Sequence, residues 1–266
     1  MALIDILREQ AEEDGLPLRV ILKETLQVYV LAAVYAQPTS DQVTFQGGTC
    51  LRLLYGGPRY SEDLDFVTAL TSSELQELFE RVQPEMTKLA PLFEGEISLR
   101  VQKATAEIVR WKVYYRGNHA RDAASVSVEF APYPAYTTRI APLRLPTYLP
   151  ALPLVVVRAE TEAEILADKV VAFAGRHYVR GRDVFDIWWL RQRGIEVDQD
   201  MVHGKMEDYR VQPEHFRDNL TRLRPDRVRQ ELERFLPLRY RTQVLRPDVL
   251  SAMVEEVRAW LEQVIG

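Results

Sequence analysis

The stretch VTFQGGTCLRLLYGGPRYSEDLDF, from Val43 to Phe66, decides how this chain is read. It opens on a short apolar strand, Val43 to Phe45, and turns at Gly47-Gly48. A helical stretch from Thr49 to Leu54 follows and stops at Gly56-Gly57-Pro58. The next strand, Asp63 to Ala69, begins in strict alternation, with Leu64 and Phe66 facing one way and Asp63 and Asp65 the other. Two carboxylates therefore share one strand face shortly after a glycine turn.

A glycine pair after a strand is commonly a plain turn, and an Asp-x-Asp pair is commonly a solvated strand face. The ordered series of strand, Gly-Gly-Thr, helix, Arg-x-Ser and Asp-x-Asp is far more constrained than either part. Gly47 and Gly48 let the backbone turn sharply and offer amide groups to phosphate oxygens with no Cβ in the way. Thr49 adds a hydroxyl, the helix beginning there directs its positive end at the same anion, and Arg59 and Ser61 supply further phosphate contacts. Asp63 and Asp65 aim at one point, and their hard oxygens select magnesium or manganese. A pair of such ions withdraws charge from a triphosphate on both the attacking and the leaving side. Strand parity makes Glu129 the best-placed third carboxylate, although a plain surface-strand role competes for it.

Working outward, two helices open the chain, Ile4 to Glu13 and Leu18 to Ala36, on either side of the breaker Asp14-Gly15-Leu16-Pro17. Thr71 with Glu74 forms a capping box that starts another helix, which Pro84 should end or kink near Gln83. Ile97 to Val101 and Ile108 to Tyr115 read as a hairpin, and Ser125 to Phe130 as a strand with Val126, Val128 and Phe130 on its apolar face. The proline-rich stretch Pro132 to Pro153 reads as a connector and Leu154 to Val157 as a last short strand. From Thr161, capped through Glu164, the pattern is helical almost to the end. The expected architecture is α+β: a mixed sheet with flanking helices over residues 1–158, then a helical domain over residues 159–266 that closes over the ligand.

The helical half holds a second constellation. Lys169 sits in an apolar-periodic helix, and Arg182-Asp183-Val184-Phe185-Asp186 follows on the next. Lysine is a compact phosphate-neutralising cation, and Asp186 is suited to orient that lysine or an attacking hydroxyl. An interhelical salt bridge from Lys169 to Asp183 or Asp186 is the competing reading. The late arginines, Arg217 to Arg246, are interleaved with acids and read first as a solvated helical face and second as an RNA or partner surface.

Composition narrows the setting. The net charge of −5 and pI near 5.6 exclude a wholly basic nucleic-acid coat. The single cysteine, Cys50, excludes an internal disulfide framework, and the apolar runs are too short to span a bilayer, so the expected address is cytoplasmic. The four histidines are scattered without metal-ligand spacing, and Trp188-Trp189 is expected to place at least one indole in the core.

Several blocks together carry a resemblance. Gly47-Gly48-Thr49-Cys50-Leu51, Arg59-Tyr60-Ser61-Glu62-Asp63-Leu64-Asp65-Phe66, Val126-Ser127-Val128-Glu129-Phe130, Lys169 in its helix and Arg182-Asp183-Val184-Phe185-Asp186 resemble, in that order, the AbiEii abortive-infection toxins. These are nucleotidyltransferase-like proteins of type IV toxin–antitoxin systems, the MenT toxins among them. The resemblance implies a polymerase-β-type nucleotidyltransferase fold, a cognate antitoxin, and transfer from a nucleoside triphosphate, in some members onto tRNA ends. It also implies that Asp63 and Asp65 bind metal, that Gly48 and Ser61 bind nucleotide phosphates, and that Lys169 and Asp186 are needed for activity. Arg182 and Asp183 fall among the nucleotide-binding positions. Cys50 stands where alanine is common and Tyr60 where phenylalanine is common, neither touching the chemistry. A small-molecule or protein acceptor, or an inactive nucleotide-binding interaction module, is the alternative.

Overall fold

A computed structural model describes residues 2–119, 122–149 and 152–265. The chain divides into two units, the first ending at Glu160 and the second beginning at Thr161.

The first unit starts with helices α1 (Leu3–Asp14) and α2 (Leu18–Tyr35). Strand β1 (Val43–Gln46) runs directly into α3 (Gly47–Leu53), and strand β2 (Leu64–Thr68) follows. The remainder comprises α4 (Ser72–Thr87), the short α5 (Ala90–Phe93), and strands β3 (Gly95–Ala104), β4 (Val109–Gly117), β5 (Ala123–Ala131), β6 (Thr138–Pro142) and β7 (Val156–Glu160). All seven strands form one mixed sheet in the order β3-β4-β5-β2-β1-β7-β6. Strand β2 is antiparallel to β1 and parallel to β5, while β1 is parallel to β7.

Alternation decides which side of β2 is buried. Leu64 and Phe66 are buried, and Phe66 stacks on Phe130 of β5 with ring centroids 5.0 Å apart. Trp111 of β4 extends the aromatic seam at 4.5 Å from Phe130, and Phe45 of β1 closes it at 5.5 Å from Phe66. Four aromatic rings withdrawn from water each remove well over about 100 Å² of apolar surface, so this seam fixes the strand register. The residue between Leu64 and Phe66, Asp65, is consequently turned to the opposite face.

Several elements differ from the sequence reading. Helix α4 does not stop at Gln83; it continues through Pro84 to Thr87. Proline forfeits one helical hydrogen bond there, but Val82 and Met86 are fully buried on either side of it and packing outweighs that loss. Strand β6 lies inside the stretch read as a connector and pairs antiparallel with β7. It is an edge strand with Ile140 72% exposed, so no apolar alternation announces it. Strand β7 begins two residues later than expected, because Leu154 is 76% exposed while Val157, Ala159 and Glu160 are buried. Asp63 immediately precedes β2 instead of opening it.

The second unit is helical: α6 (Glu162–Gly175), α7 (Gly181–Gln192), α8 (Gln199–Asp208), α9 (Phe216–Arg222), α10 (Pro225–Leu232), α11 (Leu238–Val244) and α12 (Pro247–Ile265). Helix α7 packs against α6, α10 and α12. Helix α6 is capped by the Thr161 hydroxyl, which accepts from the Glu164 backbone N–H at 3.3 Å. The Glu164 carboxylate meets Lys205 of α8 at 2.9 Å, and Lys205, wholly buried, also meets Asp168 at 2.8 Å.

Candidate functional site

The order of β1, α3 and β2 brings the opening motif together in space. Antiparallel pairing sets Gln46 opposite Asp65, so the chain leaves β1 beside the aspartate and turns into α3 at Gly47. Gly47 has φ +78°, and a Cβ there would stand 2.7 Å from Asp65 Oδ2. Only glycine combines that backbone conformation with that approach. Gly48 is equally confined, since its Cβ would fall 2.5 Å from Arg59 Nη2 and 2.9 Å from Ser61 Oγ. The two glycines are thus the floor on which Asp65, Arg59 and Ser61 converge.

The loop carrying Arg59 to Asp63 is anchored from below. Gln27 of α2 donates to the Ser61 carbonyl at 3.2 Å, Lys23 pairs with Glu62 at 2.8 Å, and the Thr49 hydroxyl donates to the Asp63 carbonyl. Thr49 is 1% exposed, so it acts as a tie between α3 and the aspartate loop. Arg59 is buried and donates to the Tyr60 carbonyl at 3.0 Å. Behind it, Arg52 donates to Glu24 at 2.7 Å with its guanidinium 4.1 Å over the Tyr60 ring, and Tyr60 donates to Asp14 at 2.6 Å. Burial, then the neighbouring Glu24 charge, push the Tyr60 phenol far above its ordinary range, so it stays a neutral donor.

Parallel pairing places Glu129 of β5 directly opposite Asp65. Its other neighbour is Arg110 of β4, whose Nε lies 2.8 Å from Glu129 Oε1, close enough for an ion pair although the N–H is not aimed along it. Among the described residues, no three His, Cys, Asp or Glu side chains gather into a ready-made cation cage. Magnesium is commonly bound through one or two carboxylates, with substrate phosphates and water completing the shell. Asp65 beside the glycine floor, with Asp63 two residues before it in the chain, is a donor set that fits that manner of binding.

In the second unit Lys169 of α6 lies 2.7 Å from Asp183 Oδ1 and 2.9 Å from Asp186 Oδ2 of α7. Arg176 also pairs with Asp183. The interhelical salt bridge is therefore present, and two cations face two anions. Arg182 stands apart from this cluster, its guanidinium 4.7 Å over the Phe235 ring and its Nε 4.0 Å from Glu231.

Sequence reasoning missed Gln27, Arg110 and Arg176. Gln27 had a signal: a polar residue within an apolar helical run must find a partner when buried, and Gln27 is 1% exposed. Arg110 and Arg176 had none, because their partners lie on other elements.

Against this geometry stand the comparisons with known proteins. The family model described as nucleotidyl transferase AbiEii toxin, type IV TA system, matches residues 29–261. The chain belongs to the AbiEii nucleotidyltransferase toxin family. Membership makes it a toxin of the type IV toxin–antitoxin class, which implies a nucleoside triphosphate substrate and a cognate antitoxin. The AbiEii chain is similar in structure to MenT4, a nucleotidyltransferase toxin from Mycobacterium tuberculosis H37Rv, with a TM-score of 0.67 at 20% identity over 97% of this chain and 89% of that one. It is also similar to JHP933 from Helicobacter pylori, with a TM-score of 0.53 at 18% identity over 94% of this chain and 93% of that one. At such identities the likeness concerns the fold, and it agrees with the mixed sheet and flanking helices. No curated protein sequence matches the chain. Among its described residues, no helix is long and apolar enough to cross a membrane.

Proposed function

We propose that this AbiEii toxin moves a nucleoside monophosphate from a nucleoside triphosphate to an acceptor hydroxyl on RNA, specifically a tRNA 3′ end. The observation that carries the reading is the approach of Gly47 to within a missing Cβ of Asp65, with Gly48 equally close to Arg59 and Ser61. Such a floor admits phosphate oxygens next to a carboxylate only if a cation reconciles the two like charges. The tRNA acceptor rests on the family resemblance.

In this reading the backbone amides of Gly47 and Gly48, the Ser61 hydroxyl and the Arg59 guanidinium hold the β- and γ-phosphates. Asp63 and Asp65, with Glu129 in register beside Asp65, would hold magnesium or manganese ions, whose charge would offset that of the triphosphate. The acceptor hydroxyl oxygen attacks the α-phosphorus as the bond to the departing pyrophosphate breaks, its proton passing to water. Lys169 and Asp186 of the second unit are needed for activity in this reading, Asp186 orienting the lysine and Arg182 and Asp183 supporting that helix. Lys169 already lies between two carboxylates, so any anion it takes up must displace one of them.

The test is incubation with triphosphates labelled at the α-phosphate, magnesium, and either purified tRNA, other RNA, small molecules or cell protein. Label is expected on tRNA with wild-type protein and none with Asp65→Ala. Label appearing on another acceptor class alone would reassign the substrate, and equal transfer by Asp65→Ala would reject the site.

A further inference from the structure

Trp188, one of two adjacent tryptophans of which at least one is expected in the core, is half-buried and lines an open pocket of about 320 Å³ between α7 and α12. Arg191, Gln192, Glu256, Trp260 and Gln263 line it too. The pocket is pre-organised. Trp188 Nε1 donates to Glu256 Oε2 at 3.1 Å, and Gln192 Nε2 donates to the same oxygen at 3.0 Å. Trp188 also rests against buried Phe185, centroids 5.9 Å apart. Across the pocket the Arg191 guanidinium lies 5.1 Å from the Trp260 ring centroid and donates to the Ile195 carbonyl at 3.0 Å. Two indoles and a guanidinium plane, with Trp188 and Arg191 each held by a hydrogen bond, thus surround amide and carboxylate groups.

We propose that this pocket stacks one unpaired base of the RNA acceptor, an inference that rests on the RNA reading above. Unstacked bases are recognised by aromatic rings and arginine planes, with polar groups reading their edges, and this lining supplies both. A triphosphate is disfavoured here, because the lining has one arginine, already engaged by a carbonyl, and a carboxylate that repels phosphate. A protein partner is disfavoured as well, since the lining offers little aliphatic surface beyond Val257 and Ala259.

The experiment is fluorescence anisotropy of the full chain with a labelled single-stranded RNA of about ten nucleotides, a length typical of one single-strand site. An abasic oligonucleotide of the same length serves as the second probe. Trp260→Ala and Trp188→Ala are each expected to weaken RNA binding by roughly 5- to 100-fold, the range that stacking one base contributes. Trp260→Phe should stay within about threefold of wild type, because any aromatic face stacks. The abasic strand should bind wild type no better than RNA binds the alanine variants. Melting temperatures confirm that each variant folds. If folded alanine variants bind RNA as wild type does, the pocket assignment fails and the face is left for a protein partner. If ATP competes with RNA in the pocket, it is a nucleotide site and the proposal also fails. If wild type binds no RNA, the acceptor reading falls together with the pocket.

Discussion

Gly47 and Lys169 stand at the centres of the two charged constellations, and they are held in opposite ways. Around Gly47 the backbone does the positioning: a left-handed φ of +78° and the lack of a side chain let α3 begin against Asp65 Oδ2. Around Lys169 the side chains do it, with Lys169, Arg176, Asp183 and Asp186 cancelling one another across α6 and α7. The first arrangement sets a carboxylate, a guanidinium and a hydroxyl around a glycine backbone that no side chain covers. The second is complete without any ligand. The same chain thus holds one cluster positioned by backbone and one positioned by paired side chains.

The largest effect that would test the contrast lies at Asp65. Asp65→Ala should lower label transfer by at least about 100-fold while leaving the melting temperature within a few degrees, because it removes the proposed cation ligand and no core packing. Transfer that survives the change would place the cation elsewhere.

Lys169 separates structure from chemistry. Lys169→Met leaves Asp186 buried without its cation and should destabilise by about 2–4 kcal/mol in denaturant unfolding. Adding Asp186→Asn removes the stranded charge and should restore roughly half of that stability. Transfer is expected to remain lost in the double variant; its return would mean that the pair serves only to join α6 and α7.

Gly47→Ala combines a left-handed alanine with the 2.7 Å approach to Asp65, so a stability loss of about 1–2 kcal/mol should accompany the loss of transfer. Gly48→Ala, which meets only the far end of Arg59 and the Ser61 hydroxyl, should cost less stability yet also impair nucleotide binding. Thermal melts with and without nucleotide and magnesium would distinguish the two variants.

The smallest effect is expected at Glu129. Glu129→Gln weakens a half-exposed pair with Arg110 and should change stability by no more than about 1 kcal/mol. A fall in transfer, reversed in part by raising magnesium, would identify Glu129 as a ligand; unchanged transfer at every magnesium concentration would confine it to pairing with Arg110.

Much of the fold was legible in local pattern. The Thr71 capping box forms as its spacing implies, and the alternation around Phe66 and Phe130 lands those rings against each other. Strand β6 was illegible because an edge strand lacks a second neighbour and needs no apolar periodicity. Pro84 misled because the rule concerns an isolated helix, whereas Val82 and Met86 bury the turn around it. The Trp188-Trp189 pair misled in the other direction: at least one indole is expected in the core, but both are only half-buried, and Trp188 lines the opening between α7 and α12.

The order of motifs by itself determined that glycines, Arg59, Ser61 and the aspartates belong to one segment, because strand alternation and turn chemistry are local properties with fixed periods. Tertiary structure decided the rest. That Gly48 touches Arg59 and Ser61, that Asp65 faces Gln46 and Glu129, and that Gln27 holds the Ser61 carbonyl all depend on strand order and helix packing. Those are set by burial of the aromatic seam across the sheet, a long-range condition that no window of neighbouring residues contains.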